Sequence, residues 1–440
     1  MDHPHIFLIS LETLRRDHLG CYGYARPVSP NLDRLADGGV RFRDSVANCG
    51  WTLPQHVTLH TGLYPLTHGV VLWDNPPLGP QWKLLAEHLK EHGYKTFAGV
   101  SNRNQFGGGA KYGFNRGFDE HAPIFEYNQH SPVTEEFVIE RFRKNHESAP
   151  CFVYVHINDT HEPFLPPEPW YSQSGPSYHN KYEAQISYVD YYLGRIFAAL
   201  KEMGLWDKML VVAFADHGTE FWEHEFIEKK CNLYREILDV PLIFHCPERL
   251  PCGGRVVDGL VESAQVAPTI LDVAGLPPLP RAQGKSLLPR VLGKSGEAPE
   301  SGGAPQCVCA HTVHNHQAKF GPPQFDQWAI QTLHFKFIRS EIHANPDDLH
   351  SDWKQRFLTI MLRAGRDPSE LKAGTVVREL YDLRIDPGEH RTLIPWGGLK
   401  ENWPRFPRFV DAEGAKEVAN DLEGKLDKWI ADTRAAGQAE

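Results

Sequence analysis

Two short segments place carboxylates and an imidazole directly after apolar runs. Ser10-Leu11-Glu12-Thr13 closes the run at 6–10, and Ala215-Asp216-His217-Gly218 closes the run at 209–215. Short continuous apolar runs mark buried parallel strands. In open α/β sheets the carboxyl ends of such strands line the ligand crevice. Glu12 from one strand end and the Asp216-His217 pair from another can therefore converge on one cation. Carboxylate oxygens plus an imidazole nitrogen suit Mn²⁺, Zn²⁺ or Mg²⁺ better than an ion that takes only oxygen. Taken alone, Asp216-His217-Gly218 reads as a polar turn, because Asp and Gly are favoured in turns.

A third segment shifts that balance. Residues 51–70 carry Thr52, His56, Thr58, His60, Thr61, Thr67 and His68 around a helical start at Pro54. Thr52 is a good helix cap. A cap and a nucleophile are compatible roles, since a helix N-terminus also attracts phosphate. His56, His60 and His68 read as structural or supporting groups rather than ligands. His224 either extends the site toward a second metal or lies on the surface. Lys229 or Lys230 alone reads as a solvated charge. Cys307-Val308-Cys309 and the His311, His314 and His316 run mimic a metal site, but read as a strand end at the rim of the pocket.

The elements that must carry these groups alternate. Strands are expected at 6–10, 96–100, 151–155, 209–215 and 240–244, and helices at 29–36, 82–92, 135–146, 184–203 and 261–274. Repeated βα units of this kind imply an α/β fold with a mostly parallel central sheet and helices on both faces. A Gly/Ser/Ala/Pro-rich stretch at 293–305 is the candidate linker. Beyond it, 307–313 and 328–339 read as strands of a smaller antiparallel sheet, and 412–435 as a closing helix. The expected division is a catalytic α/β domain over 1–300 and a smaller α+β subdomain over 301–440.

Composition narrows the function classes. The 440 residues are 41% hydrophobic and 23% charged, an ordinary globular balance. A net charge of −10 with no Lys/Arg block argues against a nucleic-acid-binding face. It does not forbid an anionic substrate, because a local metal reverses the field inside one pocket. The N-terminal apolar run is too short for a signal peptide, and no stretch of about 18 apolar residues occurs to span a membrane. The expected location is cytoplasmic, the expected partner a small anionic ester and no membrane, with homo-oligomerisation left open. The eight cysteines form no CxxC pair and read as mostly buried free thiols.

The frame Pro54, Leu59, Thr61-Gly62, Pro65, His68-Gly69-Val70 resembles the signature of sulfatases, within the alkaline phosphatase superfamily. Further blocks are similar to that family in the same order. They are Glu12 to Gly23, Ser29 to Leu35, His156 to Phe164, Asp216 to Glu220, Lys230 with Leu233-Tyr234, Ala267 to Asp272 and Leu380 to Pro387. The resemblance implies that Lys230 is the cationic substrate contact and that His161 contacts or protonates the leaving group.

Departures from the family set the expected chemistry. Thr52 stands where sulfatases carry the Cys or Ser that becomes formylglycine, and His56 stands where they carry Arg. A secondary alcohol cannot yield that aldehyde. Glu12 stands where sulfatases usually have Asp. Glu12, Thr52, Asp216 and His217 are similar to the metal set of lipoteichoic acid synthases and phosphoethanolamine transferases, which use Thr as nucleophile. The resemblance thus implies one divalent ion, Mn²⁺ or Zn²⁺ before Mg²⁺ or Ca²⁺, with a second ion left open. It implies a hydrolase of phosphodiesters or phosphonate monoesters working through a covalent Thr52 intermediate. A phosphoryl transferase, a sulfate-ester hydrolase without formylglycine and a non-catalytic ligand-binding protein are the alternatives. Intact Glu12, Asp216 and His217 argue against the last.

Overall fold

The computed structural model describes residues 3–72, 75–101, 112–124, 130–229, 232–293, 307–314, 323–363, 367–393 and 412–438. An eight-stranded sheet is built from β1 (His5–Leu11), β2 (Val40–Val46), β3 (Lys95–Val100), β4 (Glu120–Pro123), β5 (Cys151–Ile157), β6 (Met209–Ala215), β9 (Leu242–His245) and β10 (Arg255–Glu262). Between β6 and β9 the chain forms a small hairpin of β7 (Glu220–Phe221) and β8 (Ile227–Glu228). The large sheet runs in the order β10-β2-β9-β6-β1-β5-β3-β4. Only β9 is antiparallel to its neighbours.

Alternation along the strands explains the two flanking layers. On β1, Phe7, Ile9 and Leu11 face one hydrophobic cluster, while Ile6 and Leu8 face the other. The first cluster receives the helices Pro30–Asp37, His130–Asn145 and Tyr178–Glu202. The second receives Thr52–Thr61, Leu85–Glu91 and Val266–Ala274. Both faces are covered, so β1, β5 and β6 are apolar along most of their length and fully buried.

The C-terminal part forms a four-stranded antiparallel sheet of β11 (Val308–His314), β12 (Phe325–Gln331), β13 (Phe335–Ile342) and β14 (Val376–Asp382). The helix Ala412–Gln438 lays Ala415, Ala419, Leu422, Leu426 and Ile430 against it. This spacing is the stripe of an amphipathic helix. The fold class is thus α/β with a mostly parallel central sheet and a smaller antiparallel sheet plus helix.

Local differences from the sequence reading have local causes. The apolar run before 266 belongs to β10, and the helix starts at Val266 after a 3₁₀ turn. A short apolar run fits either period, and only the pairing with β2 settles it. Residues 328–339 are not one strand but the turn of a hairpin, broken at Thr332-Leu333-His334. Of the linker at 293–305, all but Gly293 lies outside the described residues. Cys151, Cys246 and Cys309 are buried free thiols and Cys49 is buried, whereas Cys252 is exposed.

Candidate metal centre

β6, β1 and β5 lie side by side, with Leu11 opposite Ala215 and Ser10 opposite His156. Glu12 follows β1 directly, and Asp216 and His217 follow β6. The register therefore delivers all three to one edge of the sheet, where His156 on β5 joins them. Thr13 then turns the chain with φ of 58°. That left-handed conformation is unusual for a β-branched residue. It is held by Thr13 N–H donating to Asp216 Oδ1 (3.2 Å) and by Thr13 Oγ1–H donating to the Thr160 carbonyl (2.6 Å). Gly218 lets the backbone pass Glu236, since a Cβ there would sit 1.9 Å from the Glu236 carbonyl oxygen.

Thr52 is the first residue of a helix whose ten residues are all buried, and Trp51 holds the cap position. Thr52 therefore starts the helix two residues before Pro54, and its side chain does not cap. Its hydroxyl donates instead to Glu12 Oε1 (2.8 Å) and lies 3.1 Å from His217 Nε2. Glu12 also faces His156 Nε2 at 2.9 Å, His217 Nε2 at 3.3 Å and Lys229 Nζ at 2.7 Å. His56 Nε2 stands 3.5 Å from Asp216 Oδ2, with its Nδ1 against the Tyr154 hydroxyl at 3.0 Å.

The electrostatics follow from burial and pairing. Burial alone would raise the Glu12 pKa, but Lys229 and hydrogen bonds from His156 and His217 hold it well below the usual carboxylate range. Burial and Glu12 both push Asp216 up, and His217 and His56 outweigh them, leaving it lowered. His217 is raised: burial opposes its charge, but Asp216 and Glu12 favour it. Burial drives His56 down to about 4. Both carboxylates are thus anionic at neutral pH, and both are fully buried.

These side chains fit a divalent cation. Candidate ligand atoms of Glu12, Asp216 and His217 all lie within 4.8 Å of one another. Asp216 Oδ2 is buried and accepts no hydrogen bond of normal geometry, which is costly unless a cation satisfies it. The Gly218 carbonyl lies 2.9 Å from His217 Nδ1 and can only accept, so Nδ1 carries a proton and Nε2 is turned to the carboxylates. Two carboxylates, one imidazole nitrogen and one hydroxyl form a mixed oxygen and nitrogen set.

The remaining expected residues fall in several places. His161 is partly buried beside the cluster, with Nδ1–H donating to the Glu162 carbonyl at 2.7 Å. Burial and then Lys229 lower its pKa. Lys230 lies outside the described residues. Lys229 is no solvated charge: its side chain is 14% exposed and ion-paired to Glu12. His224 is buried rather than on the surface. His311 and His314 lie on β11 within the small sheet, stacked on Trp328 and Phe325. His156 was not singled out by sequence, although a histidine near the end of an otherwise apolar strand was the available signal.

The family model Sulfatase matches residues 4–276. A sulfatase from Formosa agariphila is 24% identical over 76% of this chain and 81% of its own length. The multifunctional alkaline phosphatase superfamily protein PehA of Trinickia caryophylli is 24% identical over 59% of this chain and 71% of its own. The phosphonate monoester hydrolase of Agrobacterium radiobacter superposes with a TM-score of 0.73 at 21% identity, covering 99% of this chain and 96% of that one. With the family model matching more than half of the sequence, this chain belongs to the sulfatase family of the alkaline phosphatase superfamily.

Proposed function

We propose that this chain is a metal-dependent hydrolase of phosphodiesters or phosphonate monoesters, with Thr52 as its nucleophile. The observation that carries this reading is the position of the Thr52 hydroxyl, 2.8 Å from Glu12 Oε1 and 3.1 Å from His217 Nε2. A nucleophile must lie within hydrogen-bond reach of the group that takes its proton. Glu12, Asp216, His217 and Thr52 would hold the cation, for which the mixed donor set favours Mn²⁺ or Zn²⁺. When bound, such an ion lowers the pKa of a ligating hydroxyl and neutralises phosphoryl charge.

The chain's own groups account for the rest. The Thr52 oxygen bonds to phosphorus as the bond from phosphorus to the leaving oxygen breaks. The hydroxyl proton departs toward Glu12 Oε1, the acceptor it already faces. Lys229, and Lys230 by resemblance, offer positive charge to the phosphoryl oxygens. His161 contacts the leaving group. The proton taken up by Glu12 passes to the departing alkoxide, and water then attacks the phosphorus, giving one proton through Glu12 to the Thr52 oxygen as the bond from phosphorus to that oxygen breaks. A Thr ester cannot leave by re-forming an aldehyde, so the second step needs attack at the central atom, which phosphorus accepts more readily than sulfur. Likeness to the phosphonate monoester hydrolase supports the phosphorus reading. Likeness to the Formosa sulfatase favours a second reading, sulfate-ester hydrolysis without formylglycine.

The test is a panel of chromogenic phosphate diesters, phosphate monoesters, phosphonate monoesters and sulfates, run with Mn²⁺, Zn²⁺, Mg²⁺ and Ca²⁺. Diester or phosphonate turnover well above sulfate turnover is expected. Sulfate turnover alone would establish the second reading and remove the first.

A further inference from the structure

A second group of buried ligand atoms lies outside the Glu12 cluster. Glu220 on β7, His224 in the hairpin turn and Glu236 on the short helix Arg235–Leu238 bring candidate ligand atoms within 4.8 Å of one another. All three are buried. His224 stacks on Tyr234 with ring centroids 3.9 Å apart, which fixes its plane. Its Nε2 lies 3.1 Å from the Gly388 carbonyl and 3.2 Å from the Glu389 carbonyl. Carbonyl oxygens only accept, so Nε2 carries the proton. A neutral imidazole protonated at Nε2 leaves Nδ1 as a bare lone pair.

That lone pair faces two more acceptors, Glu220 Oε1 at 3.1 Å and Glu236 Oε2 at 3.3 Å. Glu220 Oε2 and Glu236 Oε2 accept no hydrogen bond. The neighbouring cations are engaged elsewhere. Arg15 pairs with Glu223 (2.5 Å), Arg356 with Glu379 (3.3 Å) and Lys336 with Glu389 (3.0 Å). Buried acceptors converging in this way must be filled by protons or by a cation. The protonated alternative has support, since burial, aided by Glu223 and Glu389 respectively, raises Glu220 to about 8 and Glu236 to about 9.

We propose that Glu220, His224 and Glu236 form a structural divalent-cation site, separate from the Glu12 cluster, that takes Zn²⁺ or Mn²⁺. Two carboxylates and an imidazole Nδ1 whose other nitrogen is held by backbone carbonyls are suited to these ions. Such an ion ties together the β7–β8 hairpin, the helix Arg235–Leu238 and, through His224, the backbone at 388–389 beyond β14. Lys229 immediately follows β8, so the same tie fixes the segment that delivers it to Glu12.

The full chain carrying Asp216→Ala, His217→Ala and His179→Ala removes the other groups of converging ligand atoms, the one of His18, His179 and Glu183 included, and makes the test independent of the catalytic reading. After dialysis against Zn²⁺ or Mn²⁺, plasma mass spectrometry is expected to find about one ion per chain. Adding Glu220→Gln and Glu236→Gln should abolish it, together with the rise in melting temperature caused by Zn²⁺. An absent ion before those two changes, or an ion retained after them, would overturn the proposal in favour of a protonated hydrogen-bond network. Should the combined variant not fold, anomalous diffraction from unmodified protein crystallised with Zn²⁺ decides. A peak among the three side chains supports the site, and its absence there refutes it.

Discussion

Thr52 Oγ1 donates to Glu12 Oε1 across 2.8 Å, although the two residues are forty positions apart in the chain. One begins a buried helix and the other directly follows β1, so the sheet edge and the helix start meet at a single oxygen pair. The hydroxyl has no hydrogen-bonding duty to its own helix that would explain its placement.

Thr52→Ala should therefore lose the chemical step while leaving the fold and the other ligands in place. The expected fall in kcat is roughly three orders of magnitude, about 4 kcal/mol of barrier. Thr52→Ser should keep part of the activity, because a primary hydroxyl reaches the same oxygen. Rapid-quench peptide mapping should find phosphorylated Thr52 in the unmodified enzyme. Near-normal turnover by the alanine variant would mean that water attacks directly.

Glu12→Gln removes the charge that faces Thr52, His156, His217 and Lys229 at once. Metal content measured after dialysis should drop, and activity with it. Chelation of the unmodified enzyme should abolish turnover, and Mn²⁺ or Zn²⁺ should restore it. Retained metal in Glu12→Gln would move the centre to other ligands.

Gly218→Ala places a methyl 1.9 Å from the Glu236 carbonyl oxygen, a backbone atom that cannot swing aside. The cost should be about 1–3 kcal/mol or more, as for other overpacked positions. Because Gly218 adjoins His217, the variant should also lose activity beyond its loss of stability. A melting temperature equal to the parent's would show that the strand end can shift freely.

His5 and His68 lie away from the candidate metal set and are held neutral. Burial, helped by His146, lowers His5 to about 4, and burial lowers His68 to about 3. Below about pH 6.5 the unfolded chain binds protons that the folded chain refuses, so stability falls as pH falls through that window toward about 4. Each histidine should contribute about 1–2 kcal/mol of this loss at pH 5. Melting temperatures at pH 7 and pH 5 measure it. His68→Asn, which preserves an acceptor for the Val70 N–H, should reduce the difference. An unchanged pH dependence in that variant would show that His68 does not contribute.

The strand ends were legible in the sequence because their signals are local. β6 is an uninterrupted apolar run stopped by Asp216, and β1 is one stopped by Glu12, so the run and its stop are read from neighbouring residues. Parallel strands buried on both faces then bring those stops to one edge, and the resemblance to the sulfatase frame around Thr61-Gly62 marks Thr52. Tertiary structure alone decided what surrounds them. His156 joins the cluster only because β5 pairs with β1 so that it stands opposite Ser10. His56 reaches Asp216 because its whole helix is buried, which the mixed polar and apolar pattern of 52–61 does not announce. Lys229 reads as a surface charge in one dimension and becomes a buried ion pair because the β7–β8 hairpin folds back over the sheet edge. Periodicity records which face of an element is apolar, whereas the partner of a buried charge is set by strand register and chain reversal over long sequence separations.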